Sequence, residues 1–118
     1  MILGFVKDLF FSLKLEEALK RLGHQAVVVS GEEAFAARLR AARPQLIIMD
    51  LTMDGVDVEG VLKGIREGPE TAAIPILAFT THADWKRSEP LKAYCNQMVT
   101  KNMIAQQLPQ LLERYVGK

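Results

Sequence analysis

Hydrophobic and polar positions along the chain switch between two periods five times. Residues 2–6 form a short apolar run that predicts a strand. Residues 9–22 then follow a helical pattern, with Phe11, Leu15, Ala18, Leu19 and Leu22 on one face. Gly23 stands where a glycine closes a helix C-terminus. Residues 26–29 are Ala followed by three Val and read as a second strand. Ser30 with Glu33 three positions on matches a capping box. The helix it opens runs to Arg40 or Ala42, because the residue before Pro44 avoids helical angles. Residues 46–49 are unbroken apolar, as a parallel strand buried on both faces requires. Asp57 is the expected N-cap of a helix over 58–65, which Gly60 and Gly64 weaken. A fourth strand is expected over 74–79, with Pro75 near its start. A weak helix over 83–92 is interrupted by Pro90. A fifth strand is expected over 95–100 and a fifth helix over 104–116, which Pro109 kinks or delays.

Five β-α units in succession predict an α/β domain, with a parallel sheet, right-handed crossovers and helices on both faces. Residues 1–118 read as one such domain, with no linker, internal repeat or low-complexity stretch. The composition, 49% hydrophobic and 25% charged, is that of a chain able to build its own core. The 15 basic and 14 acidic residues leave a net charge of +1 and form no like-charge block. The electrostatic footprint of a nucleic-acid binder is therefore missing; Lys86-Arg87 is the best basic cluster and reads as a solvated face. No apolar run approaches the ~20 residues of a membrane helix, so no membrane partner is expected. The first residues lack the basic start and small-residue cleavage site of a signal peptide. Cys95 is the one cysteine, expected as an inert thiol in a buried strand, in a reducing cytoplasm.

In open α/β sheets, sites form outside the carboxyl ends of the strands. Lys7 and Asp8 follow the first run, Asp50 to Asp54 the third, Thr80, Thr81 and His82 the fourth, and Lys101 and Asn102 the fifth. A carboxylate, a hydroxyl and a lysine thus converge on one edge. That set suits phosphoryl transfer, with an aspartate as nucleophile and the hydroxyl and ammonium holding phosphoryl oxygens. Competing signals are weaker. Gly55 and Gly60 have P-loop glycine spacing, but Val61 and Leu62 stand where that loop needs Lys and Ser or Thr. His24 and His82 lack paired-ligand spacing, so no metal site is expected from them.

Residues 44–53, containing Asp50, resemble the segment of response-regulator receiver domains that carries the phosphorylated aspartate. Residues 74–80 resemble the receiver strand ending in a signalling Ser/Thr, here Thr80. Residues 98–101 resemble the strand ending in the family lysine, here Lys101. Leu22-Gly23-His24 matches the family's first helix-to-strand turn. The resemblance spans the chain. It implies a flavodoxin-like doubly wound five-stranded sheet of order 2-1-3-4-5, a place in two-component phosphorelay signalling, and no enzyme activity. It also implies a protein partner, such as a histidine kinase, a phosphotransfer protein or a downstream effector, or a second copy of the chain.

The departures from the family shape the functional expectation. Receivers end the first strand with an acidic pair that binds Mg²⁺; Val6 and Lys7 occupy those places here. Mg²⁺ takes oxygen ligands in octahedral geometry, which neither residue supplies, so no cofactor is expected. Lys7 is instead expected to pair with Asp50, unless a one-residue slip lets Asp8 serve as a ligand; Asp54 is a further candidate. Met98 replaces the family's switch aromatic, and Asn102 its proline after the lysine. Leu9, Phe10 and Leu13, opposite the core stripe of the first helix, are expected as a partner surface, together with Trp85 and Met98. The expected function is a stand-alone receiver-like signalling module acting through protein contacts, without normal Mg²⁺-dependent phosphorylation. One alternative is a phosphorylatable regulator with Asp50 as phosphoacceptor. A second is a small aspartate-nucleophile phosphatase, which would need a later acidic pair not found after Lys101.

Overall fold

The computed structural model, which describes residues 1–116, pairs five parallel strands in the order β2-β1-β3-β4-β5. They are β1 (Ile2–Phe5), β2 (Ala26–Val29), β3 (Leu46–Asp50), β4 (Ile76–Thr80) and β5 (Gln97–Thr100). The helices are α1 (Leu9–Arg21), α2 (Glu32–Ala41), α3 (Val58–Glu67), the short α4 (Trp85–Ser88) with a 3-10 turn over Glu89–Tyr94, and α5 (Lys101–Val116). This is the flavodoxin-like arrangement expected.

Strand alternation divides the core between two faces. Ile2, Val6, Leu46, Ile48, Leu77, Phe79 and Val99 pack with Leu15 and Leu19 of α1 and Ile104, Leu108, Leu111 and Leu112 of α5. Leu3, Phe5, Ile47, Met49, Ile76, Ala78 and Met98 pack on the other face with Phe35 of α2 and Val58, Leu62 and Ile65 of α3. Both faces of β3 are covered, which is why residues 46–49 read as one continuous apolar run.

Local chemistry fixes the helix ends. Asp8 caps α1, its Oδ1 accepting from the N–H groups of Phe10 and Phe11 at 3.0 and 3.3 Å. Past Arg21 the chain turns through Gly23 at φ +95°, and the N–H groups of Gly23 and His24 donate to Lys20 and Leu19 carbonyls. Asp57 caps α3 as expected, accepting from the Gly60 N–H at 3.0 Å.

Several expected boundaries move. The Ser30 capping box does not form: Gly31 is the N-cap of α2 and makes no side-chain cap bond, while Glu32 and Glu33 set negative charge in the first turn. Cys95 lies outside β5. It closes the 3-10 turn, with its N–H on the Lys92 carbonyl, and is half-buried. Helix α5 starts three residues earlier than expected, because the Thr100 hydroxyl accepts from the Met103 N–H at 3.2 Å. Pro109 sits inside it, and the break falls at Gln107 (φ −127°, ψ 29°).

One side chain ties several of these elements together. From the end of α3, Arg66 donates to the carbonyls of Tyr94, Ala72 and Ile74 and to Asn96 Oδ1, all within 2.7–2.9 Å. Asn96 Oδ1 also accepts from the Ile76 N–H at 2.8 Å. The guanidinium thereby satisfies the carbonyls at the entries to β4 and β5, which no sheet ladder reaches.

Candidate functional site

Strand β3 delivers Asp50 to the carboxyl edge of the sheet with 6% of its surface exposed. Two residues on, Thr52 folds back, so that Asp50 Oδ1 accepts from the Thr52 N–H at 2.8 Å and its hydroxyl at 2.7 Å. Burial raises the Asp50 carboxyl above the ordinary aspartate range. The Thr52 bonds and the charge of Lys101 oppose that rise, and the charge of Asp8 adds to it. Asp50 therefore feels the charges of both Lys101 and Asp8.

The other groups are engaged with one another rather than with Asp50. Lys101 Nζ lies 3.4 Å from Asp8 Oδ2 and 4.7 Å from the centroid of the Phe11 ring. The Asp8 carboxyl is held below its usual range, chiefly by the Phe11 N–H, with Lys101 adding to the effect. Thr80 is fully buried at the end of β4, and its hydroxyl shares a 2.8 Å hydrogen bond with the buried Ser88 hydroxyl of α4. Thr81 and Asp84 bond to each other beside α4, at 2.9 Å from the Thr81 hydroxyl to Asp84 Oδ2.

Lys7 departs from expectation. It does not pair with Asp50; its Nζ donates to the backbone carbonyl of Asp54 at 2.5 Å, in the loop between β3 and α3. The stem of an exposed lysine is long enough to cross the mouth of the site. There it reaches an acceptor that demands less desolvation than a buried carboxylate. Val6 follows the last β1–β3 pair, Phe5 with Met49, and so stands beside Asp50, where it is fully buried in the core. This register sets Val6, rather than Lys7 or Asp8, level with Asp50.

The expected partner-surface residues separate into two groups. Leu9, Phe10 and Leu13 are 66%, 74% and 70% exposed. Trp85 is half-buried against the α2–α3 face of the core, and Met98 is buried there, so Met98 forms no surface. Its place in the middle of β5 turns the side chain inward. Sequence reasoning passed over Ser88 and the Asp54 carbonyl. Nothing in a local pattern marks a serine whose partner lies on another element, or a backbone acceptor reached from 47 residues away.

The donor set does not fit Mg²⁺. Val6 is apolar and buried, and Lys7 brings a positive charge. Both Asp8 oxygens are already committed, to the helix cap and to Lys101. Among the described residues no group of three or more His, Cys, Asp or Glu is placed to hold a metal ion.

Comparison with known proteins defines the family. The response regulator receiver domain family matches residues 9–113, and the chain belongs to that family. The role of the family is receiver-type signal transduction. Protein PilH of Pseudomonas aeruginosa is 29% identical over 68 residues, covering 58% of this chain and 56% of PilH. The transcriptional regulatory protein AfsQ1 of Streptomyces coelicolor is 38% identical over 71 residues, covering 59% of this chain and 30% of AfsQ1. The chain spans 13% to 56% of the length of the curated relatives it matches. Among solved structures, the chemotaxis response regulator CheY4 of Vibrio cholerae superposes with a TM-score of 0.83 at 20% identity, over 96% of this chain and 95% of CheY4. The receiver domain of sensor histidine kinase PA1611 of Pseudomonas aeruginosa, solved with a magnesium ion in its active site cleft, gives 0.81 at 22% identity, covering 99% and 98%. Identities this low establish the fold.

Proposed function

We propose that this receiver is a protein-binding signalling module whose site operates without Mg²⁺-dependent phosphorylation of Asp50, and that it is not an enzyme. The observation that carries the reading is the state of the two β1-end positions. Val6 is a core residue, and the Lys7 ammonium is engaged with the Asp54 carbonyl. Neither presents an oxygen toward Asp50. The Lys101–Asp8 and Thr80–Ser88 bonds add support, since both groups that would meet a phosphoryl oxygen already have partners.

The surface suited to a partner is the outer face of α1. Leu9, Phe10 and Leu13 expose large apolar side chains. A groove of about 400 Å³ between α1 and α5, lined by Phe11, Leu15, Leu22, Ile104 and Leu108, lies along the same helix. A histidine kinase, a phosphotransfer protein, a downstream effector or a second copy of the chain is the kind of partner this reading admits. A reducing cytoplasm suits the single thiol, whose pKa burial pushes up to about 11, keeping it protonated and unreactive.

A second reading keeps Asp50 as a phosphoacceptor. It is favoured by the charges of Lys101 and Asp8, both of which act on the Asp50 carboxyl. A Mg²⁺ titration followed by thermal unfolding separates the two, because an ion bound by the native state raises Tm. The wild-type Tm is expected to stay constant through millimolar Mg²⁺, while Lys7→Asp, which restores one carboxylate at an exposed position, gains a Mg²⁺-dependent rise. A saturable rise in the wild type would overturn the proposal.

A further inference from the structure

Three polar contacts tie the elements around Asp50 to one another. Asp8 and Lys101 join the start of α1 to the start of α5, and Thr80 and Ser88 join β4 to α4. Lys7 and the Asp54 carbonyl join the end of β1 to the loop between β3 and α3. The third is unlike the others, because it is a charged group spent on a backbone acceptor in an otherwise exposed loop. Asp54 and Gly55 are both exposed, and Gly55 holds φ +77°, a conformation that only a glycine adopts without strain. The Lys7 ammonium lies against this turn: a Cβ built on Gly55 would sit 3.4 Å from Nζ. Beyond the turn the loop is anchored at its two ends, by Met53 buried in the core and by the Val58 N–H on the Val56 carbonyl at 2.9 Å, and its other bonds are weaker. The Val56 N–H reaches the Met53 carbonyl at 3.4 Å, and the Asp57 N–H reaches Glu32 Oε2 at 3.3 Å, both long bonds.

We infer that Lys7 is a positioning residue, a side-chain strap that sets the conformation of the Asp54–Gly55 turn and, through it, the entry into α3. A charge-assisted hydrogen bond is stronger than a neutral one and, unlike a bound ion, is present at all times at a fixed effective concentration. The loop beside Asp50 is therefore held in one geometry by the chain itself. The inference rests on the proposed metal-independent site and names the group that organises the site in that state. It also explains why a lysine serves at this position. A neutral side chain would leave the Asp54 carbonyl to water, and an aspartate would repel it.

Hydrogen exchange read by mass spectrometry on the wild-type protein, Lys7→Met and Lys7→Arg tests this. Lys7→Met is expected to speed exchange over residues 52–58 by about tenfold, the loss of one hydrogen bond to a charged donor, with β3, β4 and the body of α3 unchanged. Lys7→Arg, which keeps a charged donor on a long stem, should recover most of the protection. A wild-type-like loop in Lys7→Met, or a uniform increase across the whole domain, overturns the strap. Should Lys7→Met fail to fold, the wild-type protein carries the test through its NOE spectrum. Contacts between the Lys7 Hε protons and Gly55 Hα support the strap, and their absence overturns it. Repeating the exchange in Mg²⁺ keeps the two readings apart. Mg²⁺-dependent protection of the wild-type loop contradicts the functional proposal alone, and an unaltered Lys7→Met loop contradicts the strap alone.

Discussion

Asp50 pays for its position in the sheet edge with a carboxyl that burial makes harder to ionise. An acid whose folded pKa is raised binds its proton more tightly in the native state. Its favourable contribution is full below the ordinary aspartate value of about 3.9 and is lost as pH rises through the folded value. Asp50→Asn removes the charge while leaving an amide oxygen to accept from Thr52. It is expected to stabilise the domain at neutral pH by about 1 kcal/mol, a few degrees in Tm, with the gain vanishing as pH falls through the acid range. Asp8 has the opposite sign, because its folded pKa is lowered. Its contribution is present above the ordinary range and disappears as pH falls through the folded value. Thermal unfolding of Asp50→Asn and Asp8→Asn from pH 3 to 8 should therefore show stability differences from the wild type of opposite sign. At this scale the identity of Asp50, Thr80 and Lys101 as strand-end residues was readable from the chain, because a strand end is a local property. Their partners were not. The Lys7–Asp50 pair expected from proximity lost to a backbone acceptor that avoids burying a second charge.

At the scale of elements, the Thr80–Ser88 bond is what couples β4 to the four-residue α4. Both hydroxyls are buried, so removing one leaves the other without a partner. Ser88→Ala and Thr80→Val are each expected to cost about 1–3 kcal/mol in urea unfolding, and the double variant to cost less than their sum. Arg66 performs a wider version of the same task. Arg66→Ala removes the donor to three carbonyls and one of the two donors to Asn96 Oδ1, and an expected loss of about 2–4 kcal/mol should not be recovered by Arg66→Lys, whose single ammonium cannot span the fork. The element pattern was legible where periodicity and caps are local, as at Asp57, Gly23 and the continuous run of β3. It shifted where a cap came from an unexpected atom. Thr100 drew α5 forward, and Gly31 displaced Ser30 at α2. Cys95 fell outside β5 because the 3-10 turn that contains Pro90 runs on to Tyr94, leaving the thiol at its end.

For the whole molecule, the two-faced core separates the parts that hold the fold from the α1 surface proposed for a partner. Leu9, Phe10 and Leu13 lie outside both core clusters. Replacing Phe10 and Leu13 with Asp is therefore expected to leave unfolding free energy within about 0.5 kcal/mol of the wild type while abolishing partner binding, read by denaturation and by titration with the partner. Val6 is the counter-case. The resemblance to receivers puts a metal ligand at its position, whereas Val6 is fully buried with Leu15 and Leu19, so a carboxylate there is expected to disrupt the packing.

The Asp50 site tests the account most directly. The wild-type protein is incubated with a small-molecule phosphodonor and Mg²⁺, beside Asp50→Asn, and the intact masses are measured. The expected result is an unmodified mass for both. A stoichiometric phosphoryl adduct on the wild type that is absent from Asp50→Asn would contradict the claim that this receiver signals without phosphorylation of Asp50.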